Sequence, residues 1–168
     1  MTIRPFIIFL KDGPVRNAFM VFFSSFSFFA GLAVMIYPND VYIAYLGIDI
    51  QTMVHHGSMV AIGILVAAHN RNRTTKKHLL GSLFIFYGFA IVAMILNITL
   101  KNDVNLFYIS PYYDCTLPVL SIIHDLVPYP AFLAIYVVGF SGVSALFYSI
   151  EKGIASLCTF INKKRRAS

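Results

Sequence analysis

The chain has 168 residues, a formal net charge of +6, 58% hydrophobic and only 12% charged side chains, and a mean hydropathy of +0.76. An ordinary water-soluble domain carries about twice that share of charge, so this composition excludes a single soluble core and points to a polytopic membrane protein. The basic residues sit between and after apolar runs, where topology signals sit, so the charge implies no nucleic-acid partner. Four stretches are long enough to cross a hydrocarbon layer about 30 Å thick, which takes roughly 20 helical residues. The first covers residues 18–37 and ends at Pro38-Asn39-Asp40. It is expected to act as an uncleaved signal-anchor, because Phe6 to Leu10 is too short for a signal-peptide core. The second covers 51–68 and stops at His69-Asn70-Arg71, and the third covers 79–100 and stops at Lys101-Asn102-Asp103. The fourth covers 131–150, led in by Pro128-Tyr129-Pro130 and closed by Glu151-Lys152-Gly153. Proline before a helix and charge with glycine after it are the start and stop chemistry of helices.

These spans predict an all-α fold, a four-transmembrane-helix bundle over residues 18–150. A short cytoplasmic or interfacial segment (1–17) precedes it, and a basic interfacial tail (151–168) follows. Lys and Arg set the orientation: Arg4, Lys11 and Arg16 come before the first span, and Arg71, Arg73, Lys76 and Lys77 lie between the second and third. Lys152, Lys163, Lys164, Arg165 and Arg166 follow the fourth, and Lys101 alone falls on the other side. Both termini are therefore expected in the cytoplasm (N-in, C-in), in a multi-pass protein of the cell membrane. That topology puts Cys115 and Cys158 on opposite sides, where they do not pair. Ser27 with Gly31, Gly57 with Ala61, and Ser141 with Ala145 are small-residue pairs that let helix backbones approach.

Two connections are less regular. Residues 101–130 form a long aromatic and proline-rich segment with an apolar stretch at 119–127 too short to span, so a semi-buried outer loop is expected between spans 3 and 4. Residues 154–161 are apolar and run into Lys163-Lys164-Arg165-Arg166, which reads as an interfacial helix meeting anionic headgroups.

The candidate chemistry lies in Gln51-Thr52-Met53-Val54-His55-His56-Gly57-Ser58. Imidazoles are costly in hydrocarbon and call for polar partners or for chemistry. At about 100° per residue the two rings point different ways. Gln51, His55 and Ser58 share one stripe, and Thr52 and His56 share another that Met59 and Gly63 extend. Asn97 and Thr99 at the end of the third span should reach a similar depth, with Asn105, Tyr108, Ser110, Cys115, His124 and Asp125 just beyond. The expectation is a polar pocket holding His55, Gln51, Asn97, Asn105 and Cys115, with His56 as the general base, since imidazole titrates near neutrality. A purely structural role at a helix end, ligation of a metal, and a proton or substrate pathway remain open alternatives. No HExxH or paired CxxC is present, and neither a metal nor another cofactor is expected. His69 and His78 flank the basic loop and read as solvated.

The segment Ile50-Gln-Thr-Met-Val-His-His-Gly-Ser-Met-Val60 resembles the "IQTxxHHGxM" segment of the YwaF family of integral membrane proteins. The stretches Asn105 to Leu120 and Val127 to Tyr136 fit the same pattern, as do Gly31 to Pro38, so the resemblance covers roughly residues 16 to 145. It implies a bundle of about six or seven helices with an upstream pair carrying a "Pro-Leu-x-x-Cys" motif. Pro5-Phe-Ile-Ile-Phe-Leu10 looks like the end of such an upstream helix, so a short or N-terminally truncated member is expected. Acyl transfer to lipid, associated with the family's animal branch, is implied through that cysteine and a histidine. His56 matches the histidine, and the cysteine has no counterpart here. Three functions follow as expectations: a lipid-related membrane protein with membrane lipids as partners, a transporter or accessory subunit that needs a second copy or a partner subunit, and a non-catalytic scaffold.

Overall fold

The computed structural model describes residues 10–38, 45–70, 73–101 and 104–167. Arg4, Asp40, Arg71 and Asp103, and all but Leu10 of the stretch 5–10, lie outside the described residues. Those that are described form helices and connections, with no strand among them. Four helices are long and apolar enough to cross a membrane.

The first of these, Pro14 to Ile36, has three parts. Helix α1 (Pro14–Phe22) begins at a proline, whose missing N–H costs nothing in a first turn. Arg16 is buried there and ion-paired with Asp12. A wide π-helical turn (Phe23–Ser27) follows, in which Phe28 N–H reaches back five residues to the Phe23 carbonyl. Helix α2 (Phe28–Ile36) completes the span. The turn coincides with Ser24 and Ser25: the Ser25 hydroxyl donates to the Val21 carbonyl at 2.6 Å, and the Ser24 hydroxyl shares its proton between that carbonyl at 3.4 Å and Glu151 at 3.0 Å. Hydroxyls competing for a helical carbonyl in this way bend and loosen the local ladder.

That break lets one span serve different partners along its length. Helix α3 (Leu46–Asn70) packs on α2, and α4 (Lys76–Leu100) packs on α1. The π turn itself meets α3 and the long α6 (Tyr129–Ala167). The first span is accordingly the spine: 44% of its apolar window is buried, against 11% for α3 and 22% each for α4 and α6. Lipid tails are as apolar as leucine, so close packing and hydrogen bonds must hold such helices together. Gly31, Gly63 and Gly81 mark the close crossings, where an added Cβ would fall 2.7 Å from the His56 carbonyl, 2.6 Å from Phe28 and 2.7 Å from Ala18. A Cβ added at Gly57 would meet nothing within 4 Å, so Gly57 marks no close crossing. Buried hydroxyls add a polar tie, Ser25 to Ser144 at 2.7 Å.

The first and third spans start four and three residues earlier than the sequence reading, at Pro14 and Lys76, and two other boundaries differ more. Helix α3 starts at Leu46, more than a turn before Gln51, with Asp49 in its first turn, where a negative charge suits the helix dipole. Helix α6 does not end at Glu151-Lys152-Gly153 but runs on without a break to Ala167. One glycine costs a helix only about 1 kcal/mol, and Glu and Lys are good helix formers, so the charged cluster is no stop signal by itself. A short helix α5 (Pro118–Leu126) precedes α6 and packs on it.

Candidate functional site

The site lies where α2, α3, α4 and the connection from α4 to α6 converge. Its floor is a stack of aromatic rings from three helices. Phe26 lies on Phe86 at 4.5 Å between centroids, Phe86 on Phe140 at 6.0 Å, and Phe140 on Tyr136 at 4.3 Å. Offset stacking at these distances adds about 0.5–1.5 kcal/mol per pair beyond area burial. Above the stack is a cavity of about 370 Å³, walled by both histidines, Met59, Ser27 and the Phe107–Tyr108 turn.

The turn is held by three polar anchors. Asn97 is fully buried, and its side-chain amide holds one residue by both its backbone groups: Nδ2 donates to the Leu106 carbonyl at 3.0 Å, and Oδ1 accepts from Leu106 N–H at 2.8 Å. Asn105 Oδ1 accepts from Ser110 N–H at 3.1 Å, and Tyr129 donates its hydroxyl to the Ile109 carbonyl at 2.6 Å. These bonds hold Phe107 and Tyr108 in left-handed backbone conformations, φ 60° and 57°. Such conformations cost non-glycine residues roughly 1–2 kcal/mol each, so the surrounding bonds must over-determine them. The result is that two aromatic side chains reach the cavity from a loop.

His55 and His56 stand edge to face, 5.1 Å apart. They occupy the third turn of α3, about 14 Å from its start at 1.5 Å per residue, deeper than a span beginning at Gln51 would put them. His56 is half-buried and His55 exposed. His56 Nδ1 lies 2.8 Å from the Thr52 carbonyl, an atom that can only accept. The bond therefore fixes the proton on Nδ1, and in the neutral ring Nε2 keeps its lone pair. A base needs that tautomer. Of the two stripes, Thr52–His56–Met59–Gly63 is the one that faces α2: an added Cβ on Gly31 would meet His56 and Met59, and one on Gly63 would meet Phe28. Gln51, His55 and Ser58 form the exposed stripe, Ser58 bonding back to Val54.

The expected pocket residues thus separate. His55 and His56 wall the cavity, while Gln51, Asn97, Asn105 and Cys115 do not. Gln51 is on the exposed face, Asn97 and Asn105 hold the loop, and Cys115 is buried in the core with Ile109 and Phe132. Thr99 bonds back to Ile95, and His124 lies edge-on against Phe132 at 4.9 Å. His69 bonds its own helix at Leu65, and His78 closes a capping box with Thr75 at the start of α4. Ser27 and Tyr136 are cavity residues that the sequence did not mark, because each sits in an apolar run and meets the site only through tertiary packing. Among the described residues no group of three or more His, Cys, Asp or Glu side chains could hold a metal ion. The cavity offers instead two imidazoles (His55 and His56), three hydroxyls (Ser27, Tyr108 and Tyr136) and apolar walls. Neither a family model, nor a curated protein, nor a solved structure matches this chain.

Proposed function

We propose that this chain is a YwaF-like, multi-pass protein of the cell membrane whose histidine-walled cavity takes up a membrane lipid. In this reading both termini are cytoplasmic, by the bias of Lys and Arg, and the loop from α4 to α6 is a semi-buried outer loop over the cavity in the outer leaflet. One observation carries the functional part: the Thr52 carbonyl sets His56 as an Nε2 acceptor on the wall of a largely apolar cavity. Such a site suits a lipid whose chain lies along Phe and Met side chains. Its hydroxyl or ester group then faces the imidazole. His56 would take the proton from an attacking hydroxyl as that oxygen bonds to the carbonyl carbon of a lipid ester. It would return the proton to the departing alkoxide as the ester C–O bond breaks, completing a lipid-directed acyl transfer, and His55 would line the approach.

The test uses purified protein in detergent with His55→Ala and His56→Ala variants. Unfolding midpoint, co-purified lipid and turnover of a fluorescent acyl-lipid are measured for each. His56→Ala is expected to unfold within a few degrees of the wild type, with altered lipid content and no turnover. Loss of stability in both variants at unchanged lipid content would assign the pair to a scaffold. Histidine-dependent uptake into proteoliposomes would assign it to transport.

A further inference from the structure

A second cavity of about 370 Å³ lies between the π turn, α3 and α6, away from the histidines. Its walls are apolar except for two groups, Ser24 and Glu151. Glu151 Oε2 accepts from the Ser24 hydroxyl at 3.0 Å, and Ser24 is buried. No basic side chain lines the cavity among the described residues. Lys152, next in sequence, attracts the carboxylate but carries its Nζ over the Tyr148 ring, 5.5 Å from the centroid.

Glu151 is half-buried in a largely apolar wall, and a carboxylate drawn out of water in this way is costly unless it is paired and hydrogen-bonded. The helix junction does not require it, because Ser25 and Ser144 already tie the same two helices without charge. We infer that this cavity binds an ammonium borne on an alkyl chain, with the Glu151 carboxylate as its counter-charge. The donor set selects the ligand class. One carboxylate and one hydroxyl are too few oxygens for calcium, which takes six to eight, or for octahedral magnesium. An ammonium needs only a few acceptors, and Phe28 and Phe147, edge to face at 5.3 Å, offer aromatic faces that attract cations. Ile64, Ala67 and Ile154 continue the wall as a path for the chain. A free long-chain amine and a lipid amine headgroup present the same chemistry.

Full-length protein in maltoside micelles is titrated with dodecylamine and with dodecanol, and the unfolding midpoint is followed. The amine should give a saturable upward shift at a concentration at least about tenfold lower than the alcohol, as a charged hydrogen-bonded pair implies. Glu151→Gln keeps the Ser24 bond and should erase that preference. Ala67→Phe narrows the cavity, keeps the carboxylate and should abolish the amine shift. Equal responses to amine and alcohol in the wild type, or an undiminished preference in Glu151→Gln, would overturn the assignment. A full shift with ammonium chloride alone would overturn it in favour of a bare cation site. Native mass spectrometry from nanodiscs assigns the source. Phosphatidylethanolamine retained by the wild type and lost in Glu151→Gln supports a lipid headgroup, and equal retention of phosphatidylglycerol refutes charge selection.

Discussion

The same substitution, glycine to alanine, should act with opposite sign at two positions six residues apart on α3. At Gly63 a new Cβ would lie 2.6 Å from Phe28 Cβ and 3.0 Å from the Phe23 carbonyl. Ordinary contacts begin near 3.4 Å, so α3 must retreat from the spine by several tenths of an ångström over two neighbours, one of them backbone. Overpacking of this kind costs about 1–3 kcal/mol. A Cβ at Gly57 would meet nothing within 4 Å, so its alanine variant meets no clash and gains helix propensity of at most about 1 kcal/mol. Gly31→Ala belongs with Gly63→Ala, since its Cβ would press on the His56 carbonyl at 2.7 Å. For a chain of this length 1 kcal/mol moves a midpoint by about 2–4 °C, so Gly63→Ala and Gly31→Ala should each melt about 2–12 °C below the wild type. Gly57→Ala should melt at or slightly above it. Thermal unfolding followed by circular dichroism, in one detergent for all variants, measures the three. Gly57→Ala melting as low as Gly63→Ala would refute the account of the crossing.

Asn97→Ala leaves the Leu106 N–H and carbonyl without their partner in a part-buried setting. At about 1–3 kcal/mol per abandoned group, a loss of about 2–6 kcal/mol is expected, together with faster proteolysis between α4 and α5. A loss below about 0.5 kcal/mol would show that the amide is not what holds the loop. Ser25→Ala and Ser144→Ala, taken singly and together in a double-mutant cycle, should couple by about 0.5–1.5 kcal/mol, the range of hydrogen bonds between membrane helices. Additive effects would mean that the hydroxyl pair contributes no tie.

The spans were legible because crossing a membrane demands a long apolar run, and residues such as Lys101 and Pro130 bound those runs clearly. The ends of α3 and α6 were less so. Leu46 to Ile50 resembles a loop by composition, and Glu151 to Gly153 resembles a stop. In each case helix continuity was decided by packing and by modest propensity costs. Helical spacing separated the His55 stripe from the His56 stripe, and the glycines at 31 and 63 show which one meets the spine. Asn97 stood out as polar in an apolar helix, but its partner, the backbone of a residue nine positions on, depends on how the loop folds back. The π turn had only the adjacent serines as a trace. Tyr136 had no trace at all, since a tyrosine in an apolar helix faces a cavity or a neighbour with equal ease.

Helix α6, at 39 residues, extends about 58 Å, whereas a bilayer with its headgroups is only about 40–45 Å thick. If Tyr129 marks one interface, Lys163 to Arg165 begin about 51 Å along the helix axis. An upright α6 therefore lifts these cations clear of the opposite headgroups, as the tip of a stiff mast. Bringing them down to anionic lipid takes a lean of about 30°, within the range that membrane helices adopt. In a bilayer of that thickness the angle of this one helix and the reach of its basic end are thus a single mechanical variable.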